Sequence, residues 1–204
     1  MEDRLILVNE NDEQTGSCGK LETHEKALLH RAFSIFIFRR ILVDEPDGSR
    51  NWHTQLLVQK RAANKYHSAG LIANSCCSHP RDGEGLEEAT VRRLAEETGI
   101  QTADLEGPLQ EAGAFKYKAE FDNGLTEYEY DHVFTGWLNA KADQSAFANV
   151  KAGEDWPGRN PEEAQEMTFV ELDNVRRDAL LNPSDYAAWF TPALLIAMDT
   201  VLQR

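Results

Sequence analysis

The chain has 204 residues, 41% of them hydrophobic, and a formal net charge of −14. It is long enough for one ordinary domain with a sizeable core, and too acidic for a broad nucleic-acid or anionic-membrane surface. Its three cysteines, Cys18, Cys76 and Cys77, are odd in number and include an adjacent pair, which is a poor disulfide framework and suits a reducing compartment.

The amino terminus, Met1-Glu2-Asp3-Arg4-Leu5-Ile6, lacks the apolar core of a signal peptide. The longest clean apolar run, near Phe33 to Phe38, is too short to span a bilayer. The expectation is a cytoplasmic protein. In chain order, Leu5-Ile6-Leu7-Val8 reads as a short strand, followed by a turn through Asn9 to Asp12 and Gly16. Lys20 to Leu29 is amphipathic, a short helix or an ordered loop carrying His24, with His30 just beyond it. Ala32 to Phe38 is β-branched and aromatic, as in a strand buried on both faces. The composition predicts a turn from Val43 to Asn51, then a strand from Thr54 to Arg61, together a hairpin with a longish loop. Ala62 to Ile72 reads as irregular and Asn74 to His79 as extended.

After a turn at Gly83 to Gly85, a helix is predicted from Leu86 to Thr98, stopped by Gly99. Ala114 to Ala119 and Thr126 to Phe134 read as strands joined by a turn at Asp122-Asn123-Gly124. Residues 140–165 read as a long surface loop, and Met167 to Val170 as a last strand. Helices are predicted at Asp173 to Leu181 and Tyr186 to Leu202, the latter broken by Pro192. Strands interleaved with few helices point to a mixed sheet with helices packed on it, an α/β (α+β) class, and the whole chain, 1–204, reads as a single domain.

Several side chains can do chemistry. Residues two apart in a strand face the same way, so Glu127 and Glu129 point together, as do Cys77 and His79. Three imidazoles (His24, His30, His79) and two carboxylates could hold a divalent ion such as Zn²⁺, Mn²⁺ or Mg²⁺, although spacing does not bring the three segments together. On the helix, Arg92–Glu96 and Arg93–Glu97 are four apart. They read either as surface salt bridges or, more sharply, as Glu97 for a second, hard metal ion and Arg93 for a phosphate. The Gly83-Glu84-Gly85 turn leaves backbone N–H groups at the helix start, where an anion is favoured. Lys20, Arg61 and Lys65, individually ordinary surface charges, could with Arg93 neutralise a diphosphate. Cys77 is an acid or base candidate, while Cys76, on the opposite face of the strand, suits a small buried hydrophobe.

The run from Ser78 through Glu84 to Arg92-Arg93-Leu94-Ala95-Glu96-Glu97-Thr98-Gly99-Ile100 resembles a Nudix box. Ser78 stands where the box begins with Gly, and Arg93 where the hydrolases have the Glu of an Arg-Glu pair. With His24-x5-His30-Arg31-Ala32-Phe33-Ser34, Asn74 to Pro80, Glu127-Tyr128-Glu129, Asn160-Pro161-Glu162-Glu163 and Phe190-Thr191-Pro192 added, nearly the whole chain resembles the type I isopentenyl-diphosphate Δ-isomerase family.

That resemblance implies a Nudix-type mixed β-sheet sandwiched between helices. It implies a buried Mn²⁺ or Zn²⁺ on His24, His30, His79, Glu127 and Glu129, and Mg²⁺ on Glu97 and the Cys77 carbonyl. Lys20, Arg61, Lys65 and Arg93 would contact a prenyl diphosphate substrate. Cys77 and Glu129 would transfer protons, with Tyr117 assisting. Two aromatics common in the family are Ala193 and Ile72 here, which predicts a roomier or less cation-stabilising pocket unless Trp189 or Phe190 supplies a ring. A monomer or weak homodimer is expected, with neither nucleic acid nor membrane as partner.

Overall fold

The computed structural model describes residues 4–65, 67–139 and 151–202. Among these, nine strands share one sheet: β1 (Arg4–Val8), β2 (Gln14–Gly19), β3 (His30–Asp44), β4 (Arg50–Arg61), β5 (Ile72–Ala73), β6 (Cys76–Ser78), β7 (Gln110–Glu120), β8 (Thr126–Trp137) and β9 (Ala164–Glu171). The helices are α1 (Lys20–Glu25), α2 (Leu86–Thr98), α3 (Leu172–Leu181) and α4 (Phe190–Val201).

The long strand β3 organises the sheet. It pairs antiparallel with β1, β4 and β6, and parallel with β8. Its side chains alternate as a pleated strand requires. Phe36 and Phe38 enter one apolar cluster with α3 and α4, through Val175, Phe190 and Leu194. Phe33, Ile35 and Ile37 enter another with Ala89 and Leu94 of α2 and with Trp156. Helices therefore cover both faces, which is why β3 reads as an unbroken apolar run. The mixed sheet sandwiched between helices is the expected fold.

Four details differ from the sequence reading. The β3–β4 hairpin is tight, with pairing continuing out to Asp44↔Arg50, so the expected longish loop shrinks to 45–49. The ends of this ribbon project beyond the core and are polar, which imitates a loop in composition. Strand β2 was not expected, because Gln14 to Gly19 is an edge strand of small and polar residues pairing with β1 alone. Pro192 does not break the last helix. It is the third residue of α4, in the first turn, where its missing N–H has no intrahelical acceptor to lose. Of the expected loop at 140–165, residues 140–150 lie outside the described residues, 151–163 form turns and bends, and Ala164 already begins β9. Gly99 ends α2 as read, at φ 74°, and a Cβ there would lie 3.1 Å from the Gly158 carbonyl oxygen.

Candidate active site

Strand register assembles the site. His30 lies beside Glu129 in the parallel β3–β8 pairing, Tyr117 lies opposite Glu129 in β7–β8, and Cys77 lies opposite Ser34 in β6–β3. Directly paired residues have their Cβ atoms about 5 Å apart, so three separate regions of the chain are brought within reach of one another. His79 follows β6, and His24 enters from α1.

The imidazoles converge. His24 and His30 each donate Nδ1–H to a backbone carbonyl, of Lys20 at 2.7 Å and of Leu28 at 2.8 Å, which leaves Nε2 as the inward-facing lone pair. His30 Nε2 is 3.2 Å from His79 Nε2 and 3.4 Å from Glu129 Oε1, and His79 Nε2 is 2.9 Å from the same oxygen. For ligand bonds of about 2.1 Å, neighbouring donors in a coordination shell sit roughly 3.0–3.4 Å apart. Donor atoms of His24, His30, His79 and Glu129 all lie within 4.8 Å of one another. Their number, chemistry and spacing fit a divalent ion of the Zn²⁺ or Mn²⁺ kind. Glu127 groups instead with His24 and with His67, a residue given no role from the sequence.

The protonation states follow from burial. Burial pushes the His79 imidazole down to about 3, so it is neutral and ready to ligate at pH 7. His67 is likewise pushed to about 3 by burial, helped by the Arg61 charge. Tyr117 donates its O–H to Glu129 Oε2 at 2.6 Å and lies 3.2 Å from Glu127 Oε2. Burial and the Glu129 charge hold Glu127 well above the carboxylate range. Burial also acts to raise Glu129, but the His30 and His79 imidazoles beside it outweigh burial and hold Glu129 well below the usual carboxylate range.

Cys77 is half-buried beside this cluster, and Arg61 Nη1–H donates to its Sγ at 3.5 Å. Burial pushes the Cys77 thiol up to about 12, against the pull of Arg61. It is a thiol at neutral pH, unlike the lowered-pKa thiolate that a cationic neighbour alone would give. Cys76 is fully buried in the α2-side core, as expected.

Both sets open on one cavity of about 160 Å³. Lys20, Arg61, Lys65 and Arg93, the four cations expected to meet a diphosphate, all line it. Burial lowers the Lys20 pKa, and so do the charges of Lys65 and Arg93, a crowding of cations that an anion would relieve. Glu163, unassigned in the sequence, forms ion pairs with both Lys65 and Arg93 in the cavity wall. Glu97 is buried and off the cavity lining, with Arg93 Nη2–H donating to its Oε1 at 2.5 Å. Arg92 reaches Glu96, but it also forms a two-pronged pair with Glu84 at 2.6 and 2.8 Å, which ties the turn before α2 to the helix.

The aromatic wall comes from Trp189. Its Nε1–H donates to Asn74 Oδ1 at 2.9 Å, and its ring lies 6.2 Å from that of Tyr117 and 5.2 Å below the Arg61 guanidinium. Phe190 and Ala193 are buried in the α4-side core, and Ile72 packs at the edge of that core; none of them lines the cavity.

Comparison with known proteins places the chain in a family. A NUDIX domain matches residues 29–190. An isopentenyl-diphosphate Delta-isomerase of Burkholderia multivorans is 45% identical over 204 residues, covering 100% of this chain and 98% of that protein. An isopentenyl-diphosphate Delta-isomerase 2 of Photorhabdus laumondii is 43% identical, covering 93% of this chain and 89% of that protein. The chain belongs to the isopentenyl-diphosphate Delta-isomerase family of Nudix proteins.

The fold has matches among solved structures as well. A crystal structure from Deinococcus radiodurans has a TM-score of 0.66 at 16% identity, covering 96% of this chain and 99% of that one. A mutT/nudix family protein from Listeria innocua has 0.56 at 16% identity, covering 85% and 94%. Family membership implies dependence on divalent metal, which the buried donor groups suit. Among the described residues, no helix is long and apolar enough to cross a membrane.

Proposed function

We propose that this protein interconverts isopentenyl and dimethylallyl diphosphates, a step of isoprenoid biosynthesis. One observation carries the reading: a half-buried thiol, a tyrosine-backed carboxylate and four cations line a single cavity beside an imidazole cluster. A hydrolase would need a carboxylate on α2 where Arg93 stands.

Isomerisation adds a proton at C4 and removes one from C2, so the double bond moves from C3–C4 to C2–C3. Positive charge sits on tertiary C3 in between. In this reading Lys20, Arg61, Lys65 and Arg93 hold the diphosphate, which fixes the flat allylic unit between Cys77 and Glu129. One of these two groups gives a proton as the other takes one, and their roles exchange with the direction of reaction. Tyr117 steadies the proton on Glu129. Trp189 offers its π face to the C3 cation and excludes water, filling the role left by Ala193 and Ile72. His24, His30, His79, Glu127 and Glu129 would hold Mn²⁺ or Zn²⁺, which would supply positive charge beside Glu129, and Glu97 with the Cys77 carbonyl would hold Mg²⁺ to offset diphosphate charge once Glu97 turns from Arg93.

Incubation with isopentenyl diphosphate and Mg²⁺ tests the reading. Dimethylallyl diphosphate without phosphate release is expected; phosphate release without isomer would replace the isomerase by a hydrolase. The whole chain acting as one unit, a monomer or weak homodimer, and a cytoplasmic location complete the proposal; gel filtration and cell fractionation test the last two.

A further inference from the structure

His67 lies in the segment between β4 and β5, and nothing in the motifs assigns it a part. It is buried, with a side-chain exposure of 4%. Its Nε2 is 3.0 Å from Glu127 Oε1, a distance shared by a hydrogen bond and by neighbouring donors in a coordination shell. Its ring stacks on Phe121 at 5.0 Å and 22°, and lies edge-on to Trp189 at 6.1 Å, so its direction is set by packing. It is nearly parallel to the His24 ring, with centroids 6.0 Å apart. The donor atoms of His24, His67 and Glu127 lie within 4.8 Å of one another.

Two buried donor groups therefore share His24: His30, His79 and Glu129 on one side of it, His67 and Glu127 on the other. We infer that His67 Nε2 is a direct ligand of the buried divalent ion, the sixth protein donor beside the five that the family resemblance implies. The two halves, which share only His24 as they stand, would draw together on one ion. Six protein donors leave no vertex for water or substrate, so the ion acts on the reaction only as a fixed charge behind Glu129, never by binding the substrate itself. The competing role for His67 is to donate Nε2–H to Glu127 from outside the shell, which holds Nε2 about 3 Å from an oxygen and away from the ion.

The inference rests on the metal-site reading above, and one experiment separates the failure of the two. The full chain is loaded with Zn²⁺, crystallised, and the ion located by anomalous scattering at the zinc edge. A zinc–Nε2 distance to His67 of about 2.0–2.3 Å supports the inference. Zinc held by His24, His30, His79, Glu127 and Glu129 with His67 beyond about 3 Å overturns it and leaves the five-ligand site standing. No zinc at these residues overturns both. In parallel, His67→Phe keeps the stack on Phe121. Chelator competition should show Zn²⁺ bound at least tenfold more weakly while circular dichroism is unchanged; a change under threefold counts against ligation. If the variant does not fold, the wild-type crystal decides.

Discussion

Cys77 and Glu129 are unequal partners before any substrate arrives. Burial has pushed the thiol up to about 12 while the neighbouring imidazoles hold the carboxylate low, so the site rests with a proton on sulfur and a charge on oxygen. A raised thiol pKa means that the protonated form persists as pH rises. Alkylation of Cys77 by iodoacetamide, followed by mass spectrometry, should therefore quicken about tenfold per pH unit through pH 10. An ordinary thiol levels off near its pKa of about 8.5, and such a plateau would sink this assignment. Cys77→Ala and Glu129→Gln should each lower isomerisation at least ~10²-fold without changing the fold. Retention of full rate in either would end the proton-transfer proposal. Trp189→Leu should lower kcat by roughly 2- to 30-fold, the worth of a cation–π contact of about 0.5–2 kcal/mol, and leave KM for isopentenyl diphosphate little changed. Most of the reactive side chains were legible in the sequence because i, i+2 spacing and ordered motifs carried them. His67 and Glu163 were not. The first sits in an irregular segment with no period to place it, and the second gains meaning only from the Lys65 and Arg93 that fold against it.

At the scale of elements, strand register matters more than any one contact. Glu129 meets His30 and Tyr117 because β8 lies between β3 and β7 in one alignment, and a shift of one residue would turn Glu127 and Glu129 to the other face. Apolar β3 and amphipathic α2 were readable because burial on two faces and a helical stripe leave strong patterns. The hairpin end at Asp44↔Arg50 and edge strand β2 were not, since strands outside the core lose the apolar signature that identifies them. Gly99 shows what a terminus contributes. It caps α2 in the left-handed region and lies against Gly158, so a side chain is strained twice. Gly99→Ala should cost about 1–2 kcal/mol and lower Tm by roughly 2–8 °C in a calorimetric scan; an unchanged Tm would contradict the cap's role.

Over the whole molecule, a chain of net charge −14 concentrates cations at one cavity. The acidic surface repels polyanions while Lys20, Arg61, Lys65 and Arg93 admit a small one. The net charge is readable from composition, but the pocket is not, because its four cations come from three separate stretches, at Lys20, Arg61 with Lys65, and Arg93. Exhaustive chelation should abolish isomerisation, and Mg²⁺ together with Mn²⁺ or Zn²⁺ should restore it; full activity after metal analysis finds none would contradict the account. The most direct test is incubation with isopentenyl diphosphate and Mg²⁺ in D₂O, followed by mass and NMR analysis of the product. Dimethylallyl diphosphate carrying deuterium at C4 is expected, with none from Cys77→Ala or Glu129→Gln and no released phosphate. Unlabelled product, or phosphate without isomer, would contradict it.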